Sequence, residues 1–138
     1  MATLLAARNT IRMGIESVIQ VLAVPVKAKV TLQAGSLVVA DAGFAAPAYA
    51  GAGLKALGRC ERKVDNQLGS NGLVEAEVLR GTFRWDNDPA DPISQSDLFA
   101  TCFMSDDHTV SKTDGGGAKS AAGKIIQVDP EGIWVETI

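Results

Sequence analysis

The sequence predicts a mainly β fold: a small β-barrel or β-sandwich built of short strands and hairpins, with an extended N-terminal arm and at most one short helix. Three observations lead there. Fourteen glycines and five prolines interrupt the 138 residues every few positions, which suits strands and turns and not long helices. Between those breaks apolar residues alternate with polar ones at the two-residue period of a half-buried strand. The hydrophobic content, 46%, comes mainly from Val, Ile, Leu and Ala, with aromatics at 5%, so the core has to be aliphatic. A chain of this length suits one ordinary domain, read as an arm over residues 1–16 and a single β domain over 17–138.

Residues 1–16 carry scattered apolar side chains without sustained alternation and are broken at Asn9, Thr10 and Gly14. Ile11, Ile15, Val18, Ile19 and Leu22 also fit helical spacing. Against a helix, Ser17 to Val24 is dense in β-branched residues and stops at Pro25, which favours a strand. Val26, Ala28, Val30 and Leu32 then alternate with Lys27, Lys29, Thr31 and Gln33, predicting a strand over 26–32. Leu37 to Ala40 is a further short strand. Residues 43–53 read as an Ala- and Gly-rich loop, Leu54 to Val64 as a strand region, and Gly69 to Gly72 as a turn.

Leu73 to Leu79 and Thr82 to Trp85 continue the strand pattern, and Asp86 to Pro92 is an acidic, proline-bearing loop. Ser94 with Asp97 is a helix-start signal for one turn around Gln95–Phe99. Strands follow at Thr101–Met104, Thr109–Lys112, Gly123–Val128 and Ile133–Glu136, the last two joined by a hairpin turn at Asp129-Pro130-Glu131-Gly132. An internal echo runs through this order. Asp41 precedes Gly58 by 17 residues, as Asp106 precedes Gly123, which suggests two similar hairpins about a pseudo-symmetric core.

A net charge of −3 and a pI near 5.1 argue against nucleic-acid binding, which needs a surplus of Lys and Arg on one face. The charge is uneven: residues 1–80 hold nine Lys/Arg and six Asp/Glu, residues 81–138 four and ten. Such a dipolar chain can orient on a charged partner. Glu16, Gln20, Lys27 and Lys29 interrupt the longest apolar stretches, so no membrane span is expected. Pro25-Val26-Lys27 is a poor cleavage context for an export signal, and cytoplasmic synthesis is expected. Cys60 and Cys102 form no Cys-x-x-Cys or Cys/His cluster. They read as core thiols, or as one disulfide if their strands are adjacent.

Four patterns carry potential chemistry. Gly51-Ala52-Gly53-Leu54-Lys55-Ala56 fits a loose dinucleotide fingerprint, but such glycines must follow a buried strand and open a helix. Gly115-Gly116-Gly117-Ala118-Lys119-Ser120 ends like a phosphate loop, yet Ala118 stands where glycine is needed; a hairpin loop with Lys119 exposed is expected. His108, the sole histidine, follows Asp106 and Asp107, but neighbours in a strand point to opposite faces and rarely converge on one ion. A surface turn is expected there. Asp86, Asp88 and Asp91 are paired carboxylates in a solvated loop, not a tuned acid/base pair. These readings disfavour an enzyme and assign no catalytic, cofactor or metal residue.

Gly58-Arg59-Cys60, Val64-Asp65-Asn66, Arg80-Gly81-x-Phe83, Cys102-Phe103-x-x-Asp106-Asp107-x-Thr109-Val110-x-Lys112-Thr113-Asp114, Ser120-Ala121-Ala122-Gly123 and Val128-Asp129-x-x-Gly132-x-Trp134-Val135 together resemble the capsid decoration, or cement, proteins of tailed bacteriophages. The similarity covers roughly residues 35–138. It implies a compact β-barrel or β-sandwich that docks on the outside of the assembled head and bridges neighbouring major capsid protein subunits, as a homo-oligomer with a trimer favoured. The expected partners are the major capsid protein and copies of the chain itself, with no nucleic acid and no membrane, at the outer surface of the virion. Leu4, Leu5, Arg8, Ile11, Arg12 and Met13 in the arm are the expected interface residues, because exposed apolar side chains in an extended segment gain by lying on a partner; folding of the arm back over its own core is the equal alternative. A carbohydrate- or host-surface-binding module is the alternative, and Trp85 beside the acidic loop is its one aromatic candidate.

Overall fold

The computed structural model describes residues 20–137. The six candidate interface residues between Leu4 and Met13 therefore lie outside the described residues. Twelve strands form: β1 (Gln20–Pro25), β2 (Thr31–Leu32), β3 (Leu37–Asp41), β4 (Phe44–Pro47), β5 (Lys55–Cys60), β6 (Val64–Asp65), β7 (Glu75–Arg80), β8 (Thr82–Asn87), β9 (Thr101–Met104), β10 (Thr109–Ser111), β11 (Ala121–Asp129) and β12 (Gly132–Glu136). One 3-10 turn at Gln95–Asp97 interrupts them. The fold is mainly β with a small five-stranded barrel, as the alternation and turn spacing predict.

Ten of the twelve strands among the described residues fall into two five-stranded rings with the same connectivity, and β2 and β6 form a separate pair. The second is a closed barrel in the order β8-β12-β11-β9-β10, and the first is a sheet in the order β1-β7-β5-β3-β4. In each, the closing contact is parallel: Val110 pairs with Asn87 in the barrel, and an isolated bridge joins Val26 to Ala45 in the first ring. The register matches as well. Val38 opposite Gly58 corresponds to Cys102 opposite Gly123, Arg59 opposite Leu79 to Lys124 opposite Glu136, and Leu79 opposite Val21 to Glu136 opposite Thr82. The internal echo marks a duplicated five-stranded unit, and its two glycines occupy equivalent bulges. Its aspartates are displaced from each other by one position, because the β9–β10 hairpin is longer than the β3–β4 hairpin.

The rings share a wall. Val38 points into the first ring with Val26, Leu32, Ala45, Cys60, Ala76 and Val78. Its neighbours Leu37 and Val39 point the other way, and with Ala46, Ala48, Leu54 and Ala56 they join Trp85, Cys102, Met104, Val110, Ile125, Ile133 and Val135 in a second core. A strand covered on both faces loses its polar alternation, which is why Leu37-Val38-Val39 reads as a continuous apolar run. Full burial of such a side chain is worth about 1.5–3 kcal/mol.

Three expectations are corrected. The alternating stretch 26–32 is not one strand: β1 stops at Pro25, Val26 makes only an isolated bridge to Ala45, Lys29 adopts a left-handed conformation with φ 63°, and only Thr31–Leu32 joins a strand pair, with β6. Its alternation marks burial of Val26 and Leu32, not ladder pairing. Residues 43–53 are not all loop, since Phe44–Pro47 forms β4; its alanines are small because both faces of that strand press on a core. The region 54–64 is two strands separated by a bend at 61–62.

Candidate functional site

The β9–β10 hairpin tip carries the one group of metal-ligating side chains among the described residues: one ligand atom from each of Asp106, Asp107 and His108, all within 4.8 Å of one another. The tip is the surface turn that the sequence predicts, and the convergence of its three side chains is what the sequence does not predict. That convergence arises because the tip is a bend and not a strand, tied down by Leu37 N–H on the Asp107 carbonyl (2.7 Å) and Asp86 N–H on the His108 carbonyl (2.8 Å). His108 Nδ1 lies 2.9 Å from Asp107 and 3.1 Å from Asp106. The Asp107 hydrogen bond is the main cause that raises the imidazole pKa, with Asp106, Asp107 and Asp86 adding charge. The side chain is 62% exposed. The two carboxylates and the imidazole can hold a proton among themselves, and such a donor set suits a divalent cation.

Lys119 is not the free loop lysine that the sequence suggests. Its side chain is only 19% exposed, and its ammonium donates to Ser111 Oγ (3.1 Å) and Ser105 Oγ (3.3 Å). Ser105 in turn donates to Asp88 (2.8 Å). Asp91 accepts from Thr113 N–H and Oγ–H. These bonds pin the glycine-rich loop onto the acidic loop, and they hold Asp88 and Asp91 below the ordinary carboxylate range, chiefly through the Ala90 N–H and the Thr113 hydroxyl respectively. The Gly51–Ala56 stretch leads into β5, not a helix. Ser120 Oγ donates to the Gly51 carbonyl (2.6 Å) and accepts from Leu54 N–H (3.0 Å), so it is a structural crossover between the rings.

Trp85 is 5% exposed in the second core and edge-on to Phe83, which removes it as an aromatic platform for the alternative reading; Tyr49 and Phe99 are the exposed aromatics among the described residues. Cys60 and Cys102 are free and buried in separate cores. Burial pushes the Cys102 thiol up to about 12 and raises that of Cys60.

Compared with protein-family models, with curated proteins and with solved structures, the chain has no match.

Two features with no short sequence motif remain. The first is the loop between β6 and β7, organised by the buried side chain of Asn66. Its amide donates to the carbonyls of Val26 (3.3 Å), Lys27 (3.0 Å) and Ser70 (3.0 Å). Ala28 N–H binds Asn71 Oδ1 (2.7 Å), and Gly72 N–H binds the Val26 carbonyl. This held loop displays Leu68 fully exposed and Leu73 67% exposed. The second is a groove of about 400 Å³ between β1 and β7, lined by Val21, Leu22, Ala23, Glu75, Ala76 and Glu77. Val21, 59% exposed, and Ala23 are its apolar surface, Leu22 and Ala76 face the core behind it, and the two glutamates are exposed on β7. Both features lie on the first ring, and both present apolar surface in a fixed backbone, which is the chemistry of a protein-contact site.

Proposed function

We propose that this chain is a structural virion protein that binds the outer surface of an assembled phage head and stabilises it by bridging major capsid protein subunits, acting by binding and not by catalysis. The observation that carries the reading is the ordered set of glycines, acids and strand residues in which the sequence resembles capsid decoration proteins. Gly58 and Gly123 from that set sit at the bulges of the two rings, so part of it consists of residues the backbone geometry demands. Exposed leucines on a held loop and an apolar groove supply protein-contact surface on the same ring. The acidic second half, with ten Asp/Glu against four Lys/Arg, gives the chain the polarity to orient on the shell, basic half inward. Oligomers on a repeating lattice gain from multivalency, so weak single contacts add up to firm attachment. On this reading the partners are the major capsid protein and further copies of the chain itself, a trimer favoured. Expanded heads lacking the protein should be disrupted by heat or chelator more readily than heads to which the purified protein has been added; equal resistance of the two would contradict the stabilising role.

A further inference from the structure

We propose that the β1–β7 groove is the docking site for residues 4–13 of a second copy of this chain, so that neighbouring copies exchange N-terminal arms. The outer face of the β1–β7 pair presents Val21 and Ala23 beside Glu75 and Glu77, while Leu22 and Ala76 face the first core behind them. The segment has the complementary composition, Leu4, Leu5, Ile11 and Met13 with Arg8 and Arg12 and no acid between residues 1 and 15. Apolar side chains against Val21 and Ala23 and two cations against two carboxylates is a match in both chemistry and count. Glu77 has one competing partner, Arg62 at 3.3 Å, but both side chains are well exposed, 45% and 79%, and such pairs are weak and easily exchanged.

Where the segment ends selects the second copy over the same chain. Residues 4–13 lie 7–16 positions before Gln20, where β1 begins. Only residues 14–19 join the segment to β1, about 20 Å of chain at full extension, which reaches an adjoining copy but leaves little length to turn back over the outer face of the strand it leads into. A head-to-tail contact of this kind closes into a ring when the rotation between copies allows it. The inference concerns the protein in solution and does not rest on the capsid reading.

The test uses charge reversal in the full-length chain. The doubly reversed arm, Arg8→Glu with Arg12→Glu, and the doubly reversed groove, Glu75→Arg with Glu77→Arg, are purified separately and followed by sedimentation equilibrium, with circular dichroism to establish that each retains the wild-type β spectrum. The wild type is expected to associate with concentration and each variant alone to be monomeric. Mixing the two variants should restore association, because each arm then finds an opposite groove. A wild type that stays monomeric, variants that associate like the wild type, or a mixture that stays monomeric would overturn the proposal; the last result would assign the groove to the arm of the same chain.

Discussion

Gly58 and Gly123 are equivalent residues of two rings, each at a bulge where a side chain cannot fit. Their φ angles are 146° and 155°, and a Cβ on Gly58 would run into the carbonyl oxygen of Leu79, as one on Gly123 would into that of Glu136. The strand behind each glycine therefore approaches more closely than any other residue permits. Gly58→Ala and Gly123→Ala are each expected to destabilise the fold by about 2–4 kcal/mol, measured as a lower urea midpoint. At Gly116, with open space around it but φ 75°, the same change is expected to cost about 1 kcal/mol, from backbone strain alone.

The loop between β6 and β7 depends on Asn66 in a different way. Its amide serves three carbonyls in a site that is 2% exposed, and replacing it by Ala leaves the Lys27 carbonyl without a donor, those of Val26 and Ser70 keeping the N–H groups of Gly72 and Leu73. A loss of about 2–3 kcal/mol follows. Asn66→Asp should be worse at neutral pH, because a carboxylate would face the same carbonyls, and part of the loss should be regained as the acid is protonated. Urea unfolding of both variants at pH 7 and pH 4 reads this directly; an Asn66→Asp protein as stable as the wild type at pH 7 would remove the role assigned to the amide.

The pH dependence has two limbs of opposite sign. His108 has its pKa raised by Asp107, so its contribution is fully present below the unfolded value, about 6.5, and is lost as pH rises through the higher folded value. Asp88 and Asp91 are held low, so their contribution is present above the unfolded carboxylate range and is lost as pH falls through their folded values. The histidine effect is small because the ring is exposed. An NMR titration should place the His108 pKa above the ordinary imidazole value and show it moving back in Asp107→Asn.

Both thiols should resist alkylation in the native protein at pH 8 and react once it is unfolded. Cys102 is fully buried with a pKa pushed up to about 12, which leaves almost no thiolate. Cys60 is 1% exposed, and its Sγ–H is satisfied by the Arg62 carbonyl at 3.0 Å. Labelling of either at a rate close to that of free cysteine would contradict the two-core arrangement.

How far the sequence could be read follows the range of the forces involved. Strands β3, β9 and β12 were legible because their apolar pattern and bounding turns are local. The turn at Ser94 was legible for the same reason: the Asp97 carboxylate accepts from Ser94 N–H at 2.8 Å, three residues away. The equal spacing of Asp41–Gly58 and Asp106–Gly123 pointed to a duplication, but only the pairing of Val26 with Ala45 and of Asn87 with Val110 shows that whole rings are repeated. Strand β4 was hidden by its alanines and proline, which serve packing on two sides instead of propensity. The bonds of Asn66 gave no signal, and Lys119 reads as an exposed loop lysine, since their partners are up to 40 and 14 residues away in the chain. The groove likewise joins β1 to β7 across more than 50 residues.

The central claim, attachment to the outside of a phage head, is tested most directly by mixing the purified protein with expanded heads, assembled from the cognate major capsid protein without decoration, and sedimenting the heads. The account predicts that the protein pellets with them, saturably and at a fixed ratio to the capsid subunit, and that deleting residues 2–13 abolishes this while the β spectrum is retained. A protein that stays in the supernatant at every concentration would contradict it.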